Sequence, residues 1–224
     1  MISAILLAAG CGRRLNSPVC KPLVKVGGRP LLFYSLRTLN RHRAIDEIVV
    51  VANRHNRKAI ADIISKYSFR KVKALVLGGL RRQDSVFNGL QAARGSSKLV
   101  LIHDSARPFI EPGSITGIIR EARIYGAAIL AVKPKATIKS SRPDNTVAQT
   151  FNRDKLWEVQ TPQVFKKEVL LTAFKKYSRG TVTDDASLVE RLGKRVKVVE
   201  GSYRNIKVTT KEDLLLAGVI SRGA

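Results

Sequence analysis

Cysteine is nearly absent from this chain: Cys11 and Cys20 are the only two in 224 residues. That excludes a disulfide framework, and the pair matches no metal-ligand spacing, so reduced thiols without a catalytic role are expected. Acidic residues are also scarce, 17 Asp and Glu against 41 Lys and Arg, which gives a formal net charge of +24. Attraction to anions follows from that balance. The basic residues, however, come as scattered pairs such as Arg13-Arg14, Arg81-Arg82, Lys166-Lys167 and Lys194-Arg195, with no basic tail or block. Zinc-finger spacing, a heptad region beneath a basic helix and an aromatic-rich RNA-recognition signature are all missing. The expectation is therefore no specific nucleic-acid partner, only nonspecific adhesion at low salt. Long hydrophobic runs are missing too. The apolar run at residues 2–9 is short, has no basic segment before it and is followed at once by arginines, which argues against a signal peptide. No other segment approaches the length of a bilayer span, so a cytoplasmic protein without membrane contact is expected.

What is present is 44% hydrophobic and 26% charged, ample for one well-packed domain and too short for two comfortable ones. The chain opens on Ser3-Ala4-Ile5-Leu6-Leu7-Ala8-Ala9-Gly10-Cys11-Gly12-Arg13-Arg14. The apolar run has strand length and reads as a strand buried on both faces, as in a parallel sheet with helices above and below. Such sheets bind ligands at the carboxyl ends of their strands. Ala8, Ala9, Gly10 and Gly12 carry little or no side chain, so their backbone N–H groups are open to a polyphosphate or a base, and Arg14 adds a fixed charge with five donors. A tight strand-to-helix turn with solvated arginines is the other reading of the same residues.

Strand and helix patterns then alternate. Leu32, Leu36 and Leu39 predict a helix over about 30–41, residues 45–52 a second strand, Ile60, Ile63 and Ile64 a helix within 56–67, and residues 72–77 a third strand. After Gly78-Gly79, Asp84 or Ser85 is expected to cap a short helix carrying Val86, Leu90 and Ala93. Residues 98–103 read as a fourth strand stopping at Asp104, Ser114 as the cap of a helix to about Tyr125, and residues 127–132 as a fifth strand. The texture changes at Lys133. From there to about Lys155 the chain is polar, without helical period, and holds Pro143-Asp144-Asn145, which is turn chemistry. A projecting β-hairpin arm and a surface loop both fit it. Helices near 167–177 and after Thr183 to Asp185, a strand at 196–200 and a closing helix with Thr210 as cap and Asp213 three residues on complete the pattern. With no internal repeat or linker, residues 1–224 read as a single doubly wound α/β domain with a mostly parallel sheet and an arm inserted at about 133–155.

The chemistry is narrowed by two failed motifs. The third glycine of a dinucleotide fingerprint would fall at Leu15, and no Gly-x-x-x-x-Gly-Lys-Ser/Thr occurs. Hydride transfer and a P-loop are set aside. Arg14 and Lys21 instead place two cations around a small-residue turn, which suits a nucleoside triphosphate whose α-phosphate gains charge during displacement.

Leu7-Ala8-Ala9-Gly10-x-Gly12-x-Arg14 followed by Lys21, then Asp84-Ser85-Val86, His103-Asp104-Ser105-Ala106-Arg107-Pro108, Arg153-x-x-Leu156-Trp157, Thr161-Pro162-Gln163, Thr183-Asp184-Asp185-Ala186-Ser187 and Asn205-Ile206-Lys207-Val208-Thr209 run through nearly the whole chain. Taken in this order they resemble the 2-C-methyl-D-erythritol 4-phosphate cytidylyltransferase family of the non-mevalonate isoprenoid pathway, within the nucleotidyltransferase superfamily. The opening motif marks only the wider superfamily with its Rossmann-like fold; the later elements are more specific.

The resemblance implies that Ala8, Ala9, Gly10, Gly12, Gly79, Asp84, Ser85 and Ala106 hold CTP, and that Arg14, Lys21 and Lys207 are catalytic, the first two acting on charge at the α-phosphate as pyrophosphate leaves. It implies Mg²⁺ on Asp104, which with Arg107 and Thr161 would also face the polyol phosphate. It further implies a homodimer in which the arm delivers Thr137 and Arg153 to the partner's site. Read without it, Asp104 is a turn aspartate, Lys207 a solvated lysine, Thr137 and Arg153 plain surface residues, and His103 a packed histidine without chemistry. The chain departs from the family's pattern at three places: Cys20-Lys21-Pro22 replaces Pro-Lys-Gln, Ala136 replaces the Asp before the arm threonine, and Leu80 replaces an acid after Gly78-Gly79. Two rival readings stand beside this one. One is the same transfer to another polyol phosphate, ribitol 5-phosphate above all; the other is a basic nucleic-acid-binding module.

Overall fold

The chain's apolar runs become strands of one seven-stranded sheet, in the spatial order Lys197–Glu200, Ala127–Val132, Glu158–Lys166, Leu99–Asp104, Ile2–Leu7, Glu47–Ala52 and Val72–Leu77. A computed structural model describes residues 1–10, 12, 19–177 and 180–223. In chain order the elements are β1 (Ile2–Leu7), a small hairpin of β2 (Lys25–Val26) and β3 (Arg29–Pro30), α1 (Leu31–Arg41), β4 (Glu47–Ala52), α2 (Arg57–Lys66), β5 (Val72–Leu77), α3 (Arg82–Ala92), β6 (Leu99–Asp104), α4 (Pro112–Tyr125) and β7 (Ala127–Val132). The arm strands β8 (Lys139–Ser141) and β9 (Val147–Thr150) come next, then β10 (Glu158–Lys166), α5 (Lys167–Tyr177), α6 (Ala186–Glu190), β11 (Lys197–Glu200) and α7 (Lys211–Ser221).

Burial on both faces explains the unbroken apolar strands. Ala4 and Leu6 of β1, Ile48 and Val50 of β4 and Leu101 of β6 point to a core roofed by α1, α2, α4 and α7. Ile5, Val51, Val100 and Ile102 point the other way, into a core under α3, α5 and α6. Period-two alternation therefore sends successive side chains into two different cores, and neither face tolerates a polar run. This is the doubly wound arrangement. β1 lies between β4 and β6, parallel to both, and the chain crosses from one flank of β1 to the other after β5. Ligand crevices form at such a crossing, beyond the strand ends.

Two local expectations are corrected. Asp84 does not cap α3: the helix begins at Arg82, and Asp84 sits in its first turn, where its Oδ2 accepts the Arg81 N–H at 3.0 Å. Ser114 does not cap α4, because Pro112 starts the helix with its ring-fixed φ and Glu111 stands before it. β10 runs antiparallel to both β6 and β7, since the chain leaves β7 into the arm and returns beside it. The Thr210 cap holds as read: its hydroxyl accepts the Asp213 N–H at 3.3 Å, and Asp213 accepts the Thr210 N–H at 2.9 Å.

The arm is a hairpin whose strands, among the described residues, pair only with each other. Its turn is built by the residues that announced it: Asn145 takes φ +63°, its N–H bonds the Arg142 carbonyl at 3.0 Å, and Asp144 Oδ1 accepts the Thr146 N–H at 3.0 Å. At its base the Arg153 guanidinium donates to the Lys135 carbonyl at 2.9 Å. Among the described residues no helix is long and apolar enough to cross a membrane.

Candidate active site

The site forms where β1 and β6 end side by side, Leu7 opposite Asp104, with the Ser105 N–H closing onto the Leu7 carbonyl at 3.0 Å. The loop leaving β1 is pinned from behind by two asparagines: Asn56 Nδ2 donates to the Ala8 carbonyl at 2.8 Å and Asn53 Nδ2 to the Ala9 carbonyl at 2.9 Å. Gly12 takes φ +72°, and a Cβ there would stand 2.9 Å from the Lys21 Cβ, so glycine is what lets the loop fold over the lysine. Lys21 opens a single 3-10 turn, Lys21–Leu23, with Pro22 behind it. The Cys-Lys-Pro departure thus still presents the lysine.

A cavity of about 320 Å³ lies over this loop, lined by Ala9, Gly10, Gly12 and Lys21 on one side and by Gly79, Leu80, Ser85 and Ala106 on the other. Ser85 shapes the far wall, its Oγ accepting the Gly79 N–H at 3.1 Å. A second cavity of about 400 Å³ is lined by Arg107, Gln160, Thr161, Gln163, Asp184 and their neighbours. The two share Arg82, Asp104 and Lys207. A carboxylate between two cations therefore stands where they join.

Lys207 Nζ lies 2.6 Å from Asp104 Oδ2, and the Arg82 guanidinium reaches Asp104 Oδ1 at 3.2 Å and Asp185 Oδ2 at 2.8 Å. Burial would raise the Asp104 carboxyl, yet the Arg82 and Lys207 charges beside it hold it well below the usual carboxylate range. Asp185, fully buried, is pushed up by desolvation in spite of Arg82. Burial also lowers the Arg107 guanidinium, against the pull of Asp104.

Behind Asp104 runs a hydrogen-bond chain whose polarity is fixed by its ends. The Asp104 N–H donates to Thr161 Oγ1 at 3.0 Å, and His103 Nε2 faces the Arg107 carbonyl, an acceptor only, at 3.0 Å. Nε2 is therefore the protonated nitrogen, and Nδ1 accepts from the Thr161 hydroxyl at 3.1 Å. Burial lowers the His103 pKa to about 4, which keeps that tautomer neutral. Among the described residues, the buried side-chain atoms without a partner are Arg107 Nε, Asp185 Oδ1 and Asn205 Oδ1. Asp185 is tied to the junction through Arg82, and Asn205 to Arg107, whose Nη1 reaches the Asn205 carbonyl at 2.7 Å.

Of the residues singled out from the sequence, Ala9, Gly10, Gly12, Lys21, Gly79, Ser85, Ala106 and Lys207 line the first cavity, and Asp104, Arg107, Thr161 and Lys207 the second. Arg14 lies outside the described residues. Ala8 is buried one position behind the loop, and Asp84 is turned to Arg81, its Oδ1 2.6 Å from Nη2. Thr137 and Arg153 sit on the exposed arm and line neither cavity. Sequence reasoning missed Arg82, Asp185 and the two asparagines. Arg82 is adjacent to the Asp84-Ser85 motif and was available there, but as half of an Arg-Arg pair it reads as surface charge.

A small-residue loop after the first strand of a doubly wound sheet, a lysine folded over it and two cavities joined at a paired carboxylate define an enzyme of the nucleotidyltransferase class. Comparison with known proteins gives the family. Its model, IspD, 2-C-methyl-D-erythritol 4-phosphate cytidylyltransferase, matches residues 2–222. Proteins of that name from Clostridium botulinum (strain Langeland) and Geobacillus kaustophilus are 44% and 46% identical, over 96% and 97% of this chain and 94% and 95% of theirs. The crystal structure of 4-diphosphocytidyl-2C-methyl-D-erythritol synthase from Anaerococcus prevotii superposes with a TM-score of 0.88 at 39% identity, covering 99% of this chain and 96% of that one. The Thermus thermophilus cytidylyltransferase gives 0.80 at 31%, covering 99% and 100%. The chain belongs to the 2-C-methyl-D-erythritol 4-phosphate cytidylyltransferase family.

Proposed function

We propose that this protein transfers CMP from CTP to 2-C-methyl-D-erythritol 4-phosphate, releasing pyrophosphate, in isoprenoid precursor biosynthesis. The observation that carries the reading is the junction of the two cavities at Asp104, Arg82 and Lys207. CTP occupies the cavity over the β1 loop, which Ala9, Gly10, Gly12, Gly79 and Ser85 line. The acceptor occupies the other, its phosphate toward Arg107 and Lys207. A phosphate oxygen of the acceptor attacks the α-phosphorus, the bond from that phosphorus to the bridging oxygen breaks, and the electron pair leaves with pyrophosphate. Lys21 and Arg14 are assigned to the charge that grows on the α-phosphate, and Lys207 to the space between donor and acceptor.

Asp104 is a hard oxygen donor at the mouth of both cavities, and among the described residues no group of three His, Cys, Asp or Glu offers an all-protein metal cage. Mg²⁺ is held by one or two carboxylates together with phosphate oxygens, and Asp104 would fit that role by giving up its Lys207 or Arg82 partner to the ion. When bound, the ion supplies neutralisation of phosphate charge. Among the described residues the arm hairpin pairs with no further strand of its own chain, and a homodimer that places Thr137 and Arg153 at the other subunit's acceptor cavity would give it a partner.

Pyrophosphate release from CTP and Mg²⁺, measured against a panel of polyol phosphates, tests the reading. Turnover is expected with methylerythritol phosphate; turnover with ribitol 5-phosphate alone would overturn the choice of acceptor, and none with any polyol phosphate would overturn the activity.

A further inference from the structure

A larger basic cavity lies behind the acceptor pocket, between α1, the segment after Arg107 and the segment before Asn205. Its volume is about 570 Å³, against about 320 and 400 Å³ for the two cavities of the active site. That is the size of a small-molecule pocket. Arg37, Arg41 and Arg204 stand around it; Arg41 and Arg204 are exposed and Arg37 is half-buried over the Phe33 ring. The floor is apolar. Tyr34 and Phe109 meet edge to face at 5.4 Å, and the Tyr34 hydroxyl is spent on the Val26 carbonyl at 2.6 Å.

Charge separates this cavity from the basic pairs scattered elsewhere. None of the three guanidinium groups forms an ion pair among the described residues. Glu111, the one acid of the lining, accepts a hydrogen bond from the Ser202 hydroxyl at 3.1 Å. Three like charges facing one concavity repel each other, and an anion held by their planar forks removes that repulsion. Lysines on convex surface do not create such a field, because water screens each one separately.

The cavity is also tied to the active site through the chain. Arg204 precedes Asn205, whose carbonyl holds Arg107, and Phe109 follows Arg107 two residues on. We propose that this cavity is a separate binding site for a small anion carrying two or more phosphate groups, its phosphates on Arg37, Arg41 and Arg204 and any apolar portion against Tyr34 and Phe109. The inference does not rest on the catalytic reading, since binding is read directly.

Inorganic pyrophosphate and tripolyphosphate, titrated calorimetrically into the full chain at about 0.15 M salt, test it. A class of sites that persists in Lys21→Ala is expected. That class should weaken about tenfold or more in Arg41→Glu/Arg204→Glu, the loss of two charge-assisted contacts. The matched charge change Arg123→Glu/Lys175→Glu, at exposed positions away from the cavity, should leave it intact. Where the reversed pair fails to fold, by circular dichroism, Arg41→Gln/Arg204→Gln is measured instead, with the same expectation. The proposal is overturned if no class of sites survives in Lys21→Ala, if the class survives loss of the two arginines, or if the matched control abolishes it equally. CTP turnover of the cavity variants, which alter no residue assigned to catalysis, reports separately on the catalytic reading.

Discussion

The Arg82 side chain holds the site's two carboxylates together, and its removal is expected to be costly. Asp185 is completely buried, with Oδ1 unpartnered and Oδ2 on Arg82. Arg82→Ala leaves that carboxylate stranded, at a cost of about 3 kcal/mol in urea unfolding. The Arg82→Ala/Asp185→Asn double variant should recover part of the loss, and purely additive effects would sink the pairing argument. Lys21→Ala and Lys207→Ala act on transition-state charge in the proposed reaction. Each should lower kcat by about 10²-fold or more; the thermal midpoint should stay unchanged in Lys21→Ala and fall in Lys207→Ala, which strips the buried Asp104 of one of its two cations.

His103 gives a pH dependence at the same scale. In the folded chain it stays neutral down to about 4, whereas its ordinary pKa is 6.5. Between those values the unfolded chain binds the extra proton, so stability present above pH 6.5 is lost as the pH falls. This one group should remove about 2 to 3 kcal/mol on going from neutral pH to about pH 4.5. Urea midpoints for His103→Gln should show a pH profile flatter by that amount; an unchanged slope would place the proton elsewhere.

At the scale of elements, the nucleotide loop and the arm obey different rules. A Cβ at Gly79 would stand 2.3 Å from the Asp84 Cβ, where the start of α3 leaves no room. Gly79→Ala should therefore displace the turn that Ser85 organises and raise KM for CTP, measured by steady-state kinetics. The arm, by contrast, contributes no strand to the sheet. Replacing residues 138–151 by a short glycine linker should barely move the thermal midpoint. It should give a monomer in sedimentation and raise KM for the acceptor; a monomer with full activity would remove the role assigned to Thr137 and Arg153. The turn of the arm was legible because Pro143-Asp144-Asn145 is local chemistry. The start of α4 was misread because a proline at the first helical position outweighs a serine two residues later.

Over the whole molecule, the +24 charge predicts nonspecific association with nucleic acid. That binding should fall steeply as salt rises to about 0.2 M, because it depends on counterion release. Filter binding at two salt concentrations checks this, and affinity insensitive to salt would revive the nucleic-acid reading. The charge is also the background against which the Arg37, Arg41 and Arg204 cavity has to be distinguished, which is why its test carries a control of equal charge.

The sequence by itself determined most strands and helices, since two-sided burial writes each strand as an apolar run and each helix as a 3.6-residue period. It also determined the order of motifs that assigns the family. Only the tertiary structure decided that β10 returns antiparallel, that one joint carries Asp104, Arg82, Asp185 and Lys207, and that His103 and Thr161 form a relay beneath it. Arg82 and Asp185 are 103 residues apart in the chain, and no local periodicity records a contact made across a sheet. Pairing of distant charges is a property of the fold, so an arginine in the sequence looks the same whether it faces water or holds two carboxylates.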